Sequence, residues 1–553
     1  MEKIKNELKQ VYGSWGYGFL LILTAACSYG FKVTHVTIGI DDTPYAYYFE
    51  EGLAAVVGRW VLFVLNKFVA LSEFAPFLTD FVAVLILMAA VTVWGMLFYR
   101  VLGDRVPCYV YWCFSCIFLS CPLIAEVFTY FLHNGIAIGY LFCGISLHLF
   151  YSAVEKVRSG LRKGTVLTGF VLSAVCLVVA LGCYESFMIV WLVGILAVYA
   201  WEESRGKIPG ERPVGVLTGL CLAAITGAAA MVLRSLILKG VMVFFHLEGM
   251  KDEAVRRSVS EMLGWIFEPG AKAEFGMILK RLFVQYGVFG LAYLPIAIFV
   301  IASLMMLIWA VWKTFQKKNV WCFLLTVGCF AAAFLLSLVE GKATLYRSAQ
   351  FLPLICGAGF LAFAQIVLAI PVKKAGAWVI AVVAAVVIWN QCADLNHWFY
   401  VDYCKYEYTK DYMLQIAEEL ETHFDTDKPV LFTGNWDNPR SLVADAYVEY
   451  GSETFYRMKR ITDLVDEHLL EKFYRNYGVW VAQTPTLTVV SWGKYAFETD
   501  AELIRFLEMH GHSFRALTDT SLYEEAEQYA LELPSFPKEG SIVDRGDYIL
   551  VHF

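Results

Sequence analysis

Lys373-Lys374-Ala-Gly-Ala-Trp-Val-Ile-Ala-Val-Val-Ala-Ala-Val-Val-Ile-Trp389-Asn390 is the stretch at which this 553-residue chain changes solvent. From Ala377 to Trp389 every residue is apolar, and two lysines stand just before. Beyond Asn390 the chain is rich in charge and turn residues as far as Phe553, with no apolar run long enough to span a bilayer. Ahead of it, similar apolar stretches recur. Crossing a hydrocarbon core of roughly 30 Å takes about 20 helical residues. By that measure about eleven spans can be marked: Gly16 to Val33, Thr79 to Tyr99, Cys108 to Ile124, Ile136 to Ala153, Val166 to Cys183, Phe187 to Trp201, Val214 to Leu236, Val288 to Val311, Val320 to Leu338, Phe351 to Ile370 and Ala377 to Trp389. Composition agrees. With 59% hydrophobic and 17% charged residues and a mean hydropathy of +0.57, the chain cannot be one soluble domain.

These features predict a polytopic α-helical membrane protein: a transmembrane region over residues 1–393 and a small, separate, water-exposed α/β domain over 394–553. In the second part, helix-like stretches (Asp411 to Phe424, Asp500 to His510) alternate with β-rich runs (Pro429 to Thr433, Leu487 to Ser491, Tyr548 to His552). There is no internal repeat.

Orientation follows from lysine and arginine, which short cytoplasmic loops retain. Lys3, Lys5 and Lys9 place the N-terminus inside, and Lys156, Arg158, Arg162, Lys163, then Arg205, Lys207, Arg212, then Lys313, Lys317, Lys318, then Lys373 and Lys374 fall on that same side. The C-terminal domain is then expected outside. Asp41 and Asp42, His133 and Asn134, Tyr184 and Glu185, the loop from Leu238 to Gly287, and Glu340 to Gln350 share the outer face. The first span reads as an uncleaved signal-anchor, and Thr24-Ala-Ala-Cys27 is a poor lipoprotein box because threonine replaces leucine.

The chemistry is expected where carboxylates meet that face. In His35-Val-Thr-Ile-Gly-Ile-Asp41-Asp42-Thr-Pro44 two aspartates follow the first span. Paired carboxylates there can take a proton from a hydroxyl or hold a divalent cation, and the same residues also suit a solvated turn. The apolar stretch Leu53 to Phe68, broken by Arg59, Asn66 and Lys67, predicts a helix lying in the interface. Arg59 could grip a lipid phosphate or simply snorkel. Glu185 interrupts an apolar stretch within Gly182-Cys-Tyr184-Glu185-Ser186-Phe187, marking either a hairpin or a cavity carboxylate. Tyr346 and Arg347, just before a span, suit an anionic leaving group, or Arg347 anchors the span at the headgroups; Arg234 and Lys239 are weaker anion candidates. His133 and Asn134 form a hairpin tip. Most of the 14 cysteines lie in spans as packing residues, Cys113-x-x-Cys116 included, while spacing permits but does not imply a Cys392–Cys404 disulfide. Trp436, Tyr447 and Trp492 could stack on a glycan, with core packing the plainer role.

His35-x-x-Ile38-x-x-Asp41-Asp42, Gly58-Arg59-Trp60, Tyr184-Glu185-Ser186 and Tyr346-Arg347 together resemble the type II O-antigen glucosyltransferase family, within the GT-C superfamily of polytopic glycosyltransferases. The resemblance covers most of the membrane region. It implies inverting transfer of a sugar, typically glucose, from a polyprenyl-phosphate donor to a glycan or glycolipid acceptor outside the bacterial cytoplasmic membrane. It implies Asp41 or Asp42 as base; Glu185, a carboxylate that could bind sugar hydroxyls or assist proton transfer, stands where many relatives carry glutamine. Arg347 and Arg59 would then neutralise the lipid phosphate, beside His133, Asn134, Tyr184 and Tyr346. No nucleotide-binding loop is apparent, and nucleic-acid binding has no support from a net charge of −7 spread over both faces. A transporter or flippase of lipid-linked sugars would also need many spans and charged residues, but neither a repeat nor a midplane polar route is visible. A non-catalytic envelope scaffold is a third reading, against which the double aspartate speaks.

Overall fold

A computed structural model describes residues 9, 11–38, 52–69, 75, 77–122, 128, 133–159, 163–205, 215–247, 264–283, 294–340, 348–371, 373–436, 497 and 499–553. In chain order the helices are α1 (Trp15–Thr34), α2 (Leu53–Val56), α3 (Trp60–Val69), α4 (Leu78–Leu102), α5 (Cys108–Leu119), α6 (His133–Arg158), α7 (Lys163–Cys183), α8 (Phe187–Arg205), α9 (Val216–Phe244), α10 (Ala271–Phe283), α11 (Leu294–Lys317), α12 (Trp321–Ala333), α13 (Leu335–Glu340), α14 (Leu352–Ala369) and α15 (Lys373–His423). Among the described residues nine of them, α1, α4, α6, α7, α8, α9, α11, α14 and α15, are long and apolar enough to cross a membrane. The chain is a mostly helical membrane protein.

Two of the eleven apolar segments hold shorter helices, α5 with 12 residues and α12 with 13. Pro122 follows α5 and disfavours helical geometry at Cys121. α12 stops at Phe334 and the chain restarts as α13. The other departure is α15, one helix of 51 residues where the sequence suggested a break after Asn390. A change of solvent does not end a helix: no proline or glycine lies between Gly376 and Pro429. At about 1.5 Å per residue α15 is roughly two and a half times as long as a hydrocarbon core is thick.

The described residues fall into two compact units, the first holding 9–34 and 52–397. Here the core is aromatic. Trp94, Phe118, Tyr140 and Phe187 form a continuous chain of ring contacts, the first stacked and the next two edge-to-face, with centroid spacings of 6.4, 5.1 and 5.1 Å. Trp94 Nε1 donates to the Tyr140 carbonyl at 3.0 Å, and in the same unit Trp191 Nε1 donates to Ser146 Oγ at 3.0 Å. Outward faces are apolar and exposed, among them Ile225, Val232, Leu236, Trp378 and Trp389, as lipid-facing surfaces must be. Cys116 is fully buried in α5, in keeping with packing.

The second unit holds residues 35–38, 398–436, 497 and 499–553. Strands β1 (Pro429–Thr433), β2 (Arg515–Ala516), β3 (Ile542–Asp544) and β4 (Ile549–His552) form a sheet in the order β2-β1-β4-β3. β1 runs parallel to β2 and β4, and β3 antiparallel to β4. Leu431, Leu517, Tyr548 and Leu550 pack with Ala526 and Ala530 of α17 (Tyr523–Ala530). Helix α16 (Asp500–Met509) starts at Thr499, whose side chain accepts from the Glu502 N–H. The expected strand Leu487 to Ser491 lies outside the described residues, and Cys392 and Cys404 are both free thiols.

Candidate active site

The stretch expected as one interfacial helix from Leu53 to Phe68 is two, because the chain turns at Gly58. Its φ of +89° is a conformation that favours glycine. The turn closes with Gly58 N–H on the Ala55 carbonyl at 2.9 Å and Arg59 N–H on that of Ala54 at 2.7 Å. Arg59 then opens α3, its carbonyl taking the Leu62 N–H at 3.0 Å.

α3 is seated on α6 and α7 by two glycines. A Cβ at Gly182 would come within 2.6 Å of the Trp60 ring and of Val61, and one at Gly135 within 2.9 Å of Leu62. Close approach of this kind is what small residues provide between apolar helices. Val61, Ile138 and Cys183 are buried there, with Trp60, Leu65, Phe142 and Val179 against them.

Gly182 ends next to the short link between α7 and α8, so seating α3 brings Arg59 to that link. The Arg59 guanidinium lies 4.6 Å from the centre of the Tyr184 ring. Among the described residues no carboxylate pairs with Arg59. Glu185 instead pairs with Arg234, whose Nη2 also donates to the Gly58 carbonyl at 3.1 Å. The Arg234 side chain is 8% exposed and that of Glu185 54%. Ser186 Oγ donates to Gln350 Oε1 at 2.5 Å, and the Tyr140 hydroxyl donates to the Gln350 carbonyl at 2.5 Å. Asn134, on the first turn of α6, is fully buried.

The structure thus brings together Arg59, Tyr184 and Glu185 from two stretches that the sequence singled out separately. It promotes Arg234, read from sequence as a weak anion binder, to the partner of a carboxylate and a carbonyl. Ser186 and Gln350 were not assigned roles from sequence. A short polar side chain in an apolar run gives little signal until its partner is known. Asp41, Asp42, Tyr346 and Arg347 lie outside the described residues, and so does the side chain of His133. Among the described residues no group of three or more His, Cys, Asp or Glu side chains could hold a metal ion.

In the second unit, taken alone, His35 and Thr37 are anchored. The His35 ring meets the edge of Tyr403 at 4.8 Å, and the Thr37 hydroxyl donates to the buried carboxylate of Asp402 at 2.9 Å. Trp436 is 8% exposed and stacks on Tyr412 at 4.2 Å, a packing position; Tyr447 and Trp492 lie outside the described residues.

Chemically, a guanidinium on an aromatic face, without a carboxylate partner among the described residues and next to Glu185, can hold an anion and a hydroxyl side by side. The sequence model of the family described as glucosyl transferase GtrII matches residues 30–388. No curated protein and no solved structure matches the chain. The match takes in Arg59, Tyr184, Glu185, Arg234 and Gln350 and spans more than half of the chain, so this membrane protein belongs to the glucosyl transferase GtrII family.

Proposed function

We propose that the protein transfers a glucosyl group from a polyprenyl-phosphate donor to an O-antigen-type envelope glycan or glycolipid on the outer face of the bacterial cytoplasmic membrane. The observation that carries this reading is the Arg59 guanidinium, without a carboxylate partner among the described residues, standing over Tyr184 next to Glu185. Family membership supports glycosyl transfer in general. The arrangement supports the kind of donor, since a sugar on a lipid phosphate presents an anion and hydroxyls together.

In this reading the acceptor hydroxyl attacks the anomeric carbon while Asp41 or Asp42 takes its proton. The bond from that carbon to the phosphate oxygen breaks, and the lipid phosphate leaves with the electron pair, inverting the sugar centre. Arg59 and Arg347 offset the charge that gathers on the departing oxygen, and pre-placed donors of this type contribute about 3–4 kcal/mol each. Glu185 accepts hydrogen bonds from the sugar, with Tyr184, Tyr346, His133 and Asn134 around it. If a divalent cation takes part, the aspartates would hold it. The lysine and arginine pattern supports an inside N-terminus and, with eleven spans in a GT-C-like arrangement, an outside domain over 394–553.

The test is glucose transfer by purified protein from synthetic polyprenyl-phosphate-glucose, comparing wild type with Asp41→Asn and Asp42→Asn at matched folding. Loss of transfer in one variant identifies the base. Wild-type protein inert with several donor sugars, or both variants fully active, overturns the reading and favours a carrier of lipid-linked sugars.

A further inference from the structure

We infer that Arg234 is the positioning residue of this site: it clamps the Glu185 link to the Gly58 turn and so sets where the Glu185 carboxylate and the Arg59 guanidinium stand. The purpose of the clamp rests on the glucosyl-transfer reading; the clamp itself does not.

Arg234 lies in α9, a 29-residue helix with no acidic residue in its first turn and no basic residue in its last. One stripe of α9 is buried, with Ala223, Gly227, Ala230, Arg234 and Leu238 on it, while Ile225, Val232, Leu236 and Val243 are exposed on the rest. The arginine therefore faces inward. An ionisable side chain in such a helix is retained where it does something, and its partners say what. Here the two acceptors reached by Nη2 come from different segments, the Glu185 carboxylate between α7 and α8 and the Gly58 carbonyl ahead of α3.

The choice of arginine fits that task. A planar guanidinium offers several donors in fixed directions and can hold a carboxylate and a carbonyl at once, whereas an ammonium is a point charge. Gly58 precedes Arg59 directly, so fixing the Gly58 carbonyl restrains the backbone from which the Arg59 side chain leaves. Glu185 is flanked by Tyr184, the ring under Arg59, and by Ser186, which is hydrogen-bonded to Gln350. One buried side chain thus sets the spacing between a carboxylate and a guanidinium that are far apart in sequence. Arg234 touches neither substrate nor reacting atoms in this scheme.

The test uses the full chain with Arg234→Met, Arg234→Lys, Glu185→Gln and the Arg234→Met/Glu185→Gln double variant. It has two readouts, glucose transfer kinetics and the rate at which a maleimide labels an Arg59→Cys substitution, corrected for the parent chain. A displacement of about 1 Å can lower turnover by about a hundredfold. Arg234→Met is therefore expected to lower kcat by about 30- to 100-fold with donor KM within about threefold. The double variant should be no worse than the poorer single one, because the two residues act as a unit. Arg234→Lys should recover part of kcat, and labelling at position 59 should quicken severalfold in Arg234→Met.

Additive losses, or Arg234→Met with near-normal kcat and labelling, would overturn the inference. If wild type transfers no glucose, the enzymatic reading fails, and labelling alone decides the clamp: faster labelling sustains it and unchanged labelling removes it. If Arg234→Met does not fold, Arg234→Lys carries the decision, with labelling between wild type and fully open expected and wild-type labelling contrary.

Discussion

Two ion pairs in this protein have similar chemistry and differ in how deeply the cation is buried. In the helical unit Arg234 meets Glu185 with side chains 8% and 54% exposed. In the C-terminal unit Lys428 holds both oxygens of Asp544, at 2.9 and 2.6 Å, with side chains 26% and 42% exposed. Water screens the second pair and would solvate either partner alone, so such contacts contribute little. Removing Glu185 would leave the buried Arg234 guanidinium without its counter-charge, held by the Gly58 carbonyl, which is unfavourable. A pair kept under that penalty is informative about function, and a pair kept at the surface is not.

The contrast can be broken most forcefully at the seat of α3. Gly182→Leu has no room against Trp60 and Val61, so α3 and Arg59 must move. Transfer should fall by about a hundredfold or more, and overpacking should remove about 1–3 kcal/mol of stability. Near-normal turnover in a folded Gly182→Leu protein would detach α3 from the site. Arg59→Met should come next, with kcat down roughly a hundredfold and Arg59→Lys in between, read from initial rates at saturating donor.

Smaller effects belong to the C-terminal unit. Thr499→Ala removes the cap of α16 and should cost about 1 kcal/mol, visible as a lower denaturation midpoint of that unit. Lys428→Met should change least, and in a pH-dependent way. The Lys428 ammonium, then the Gly546 N–H, holds the Asp544 carboxyl below its ordinary value. That contribution is present above the unfolded carboxylate pKa and is lost as pH falls through the lowered folded value. The gap in thermal midpoint between wild type and Lys428→Met should therefore be small at pH 7 and close as the solution is acidified through the lowered folded value. A gap that widens in acid would contradict the assignment.

How much of this was legible in the sequence differs from residue to residue. Helices such as α4 and α9 announce themselves through length and hydropathy, because burial of backbone in lipid leaves a helix as the solution for each long apolar run. Glu185 was legible for the same reason, being a charge where none is expected. The break at Gly58 was not, since an isolated glycine in an apolar pattern is often tolerated inside a helix. The unbroken course of α15 through Asn390 was hidden too. A composition change resembles a boundary, yet local backbone preference allows the helix to continue.

Sequence by itself determined the class of molecule, the places of the long helices and the residues whose charge needed explaining. Only tertiary structure decided that Arg59 lies over Tyr184 and that Arg234, 49 residues beyond Glu185, is its partner. Hydropathy is a sum over neighbours along the chain, and each helix obeys it alone. Which charge meets which depends on how glycines such as Gly135 and Gly182 let one helix press on another, and that depth of contact is a property of the packed pair.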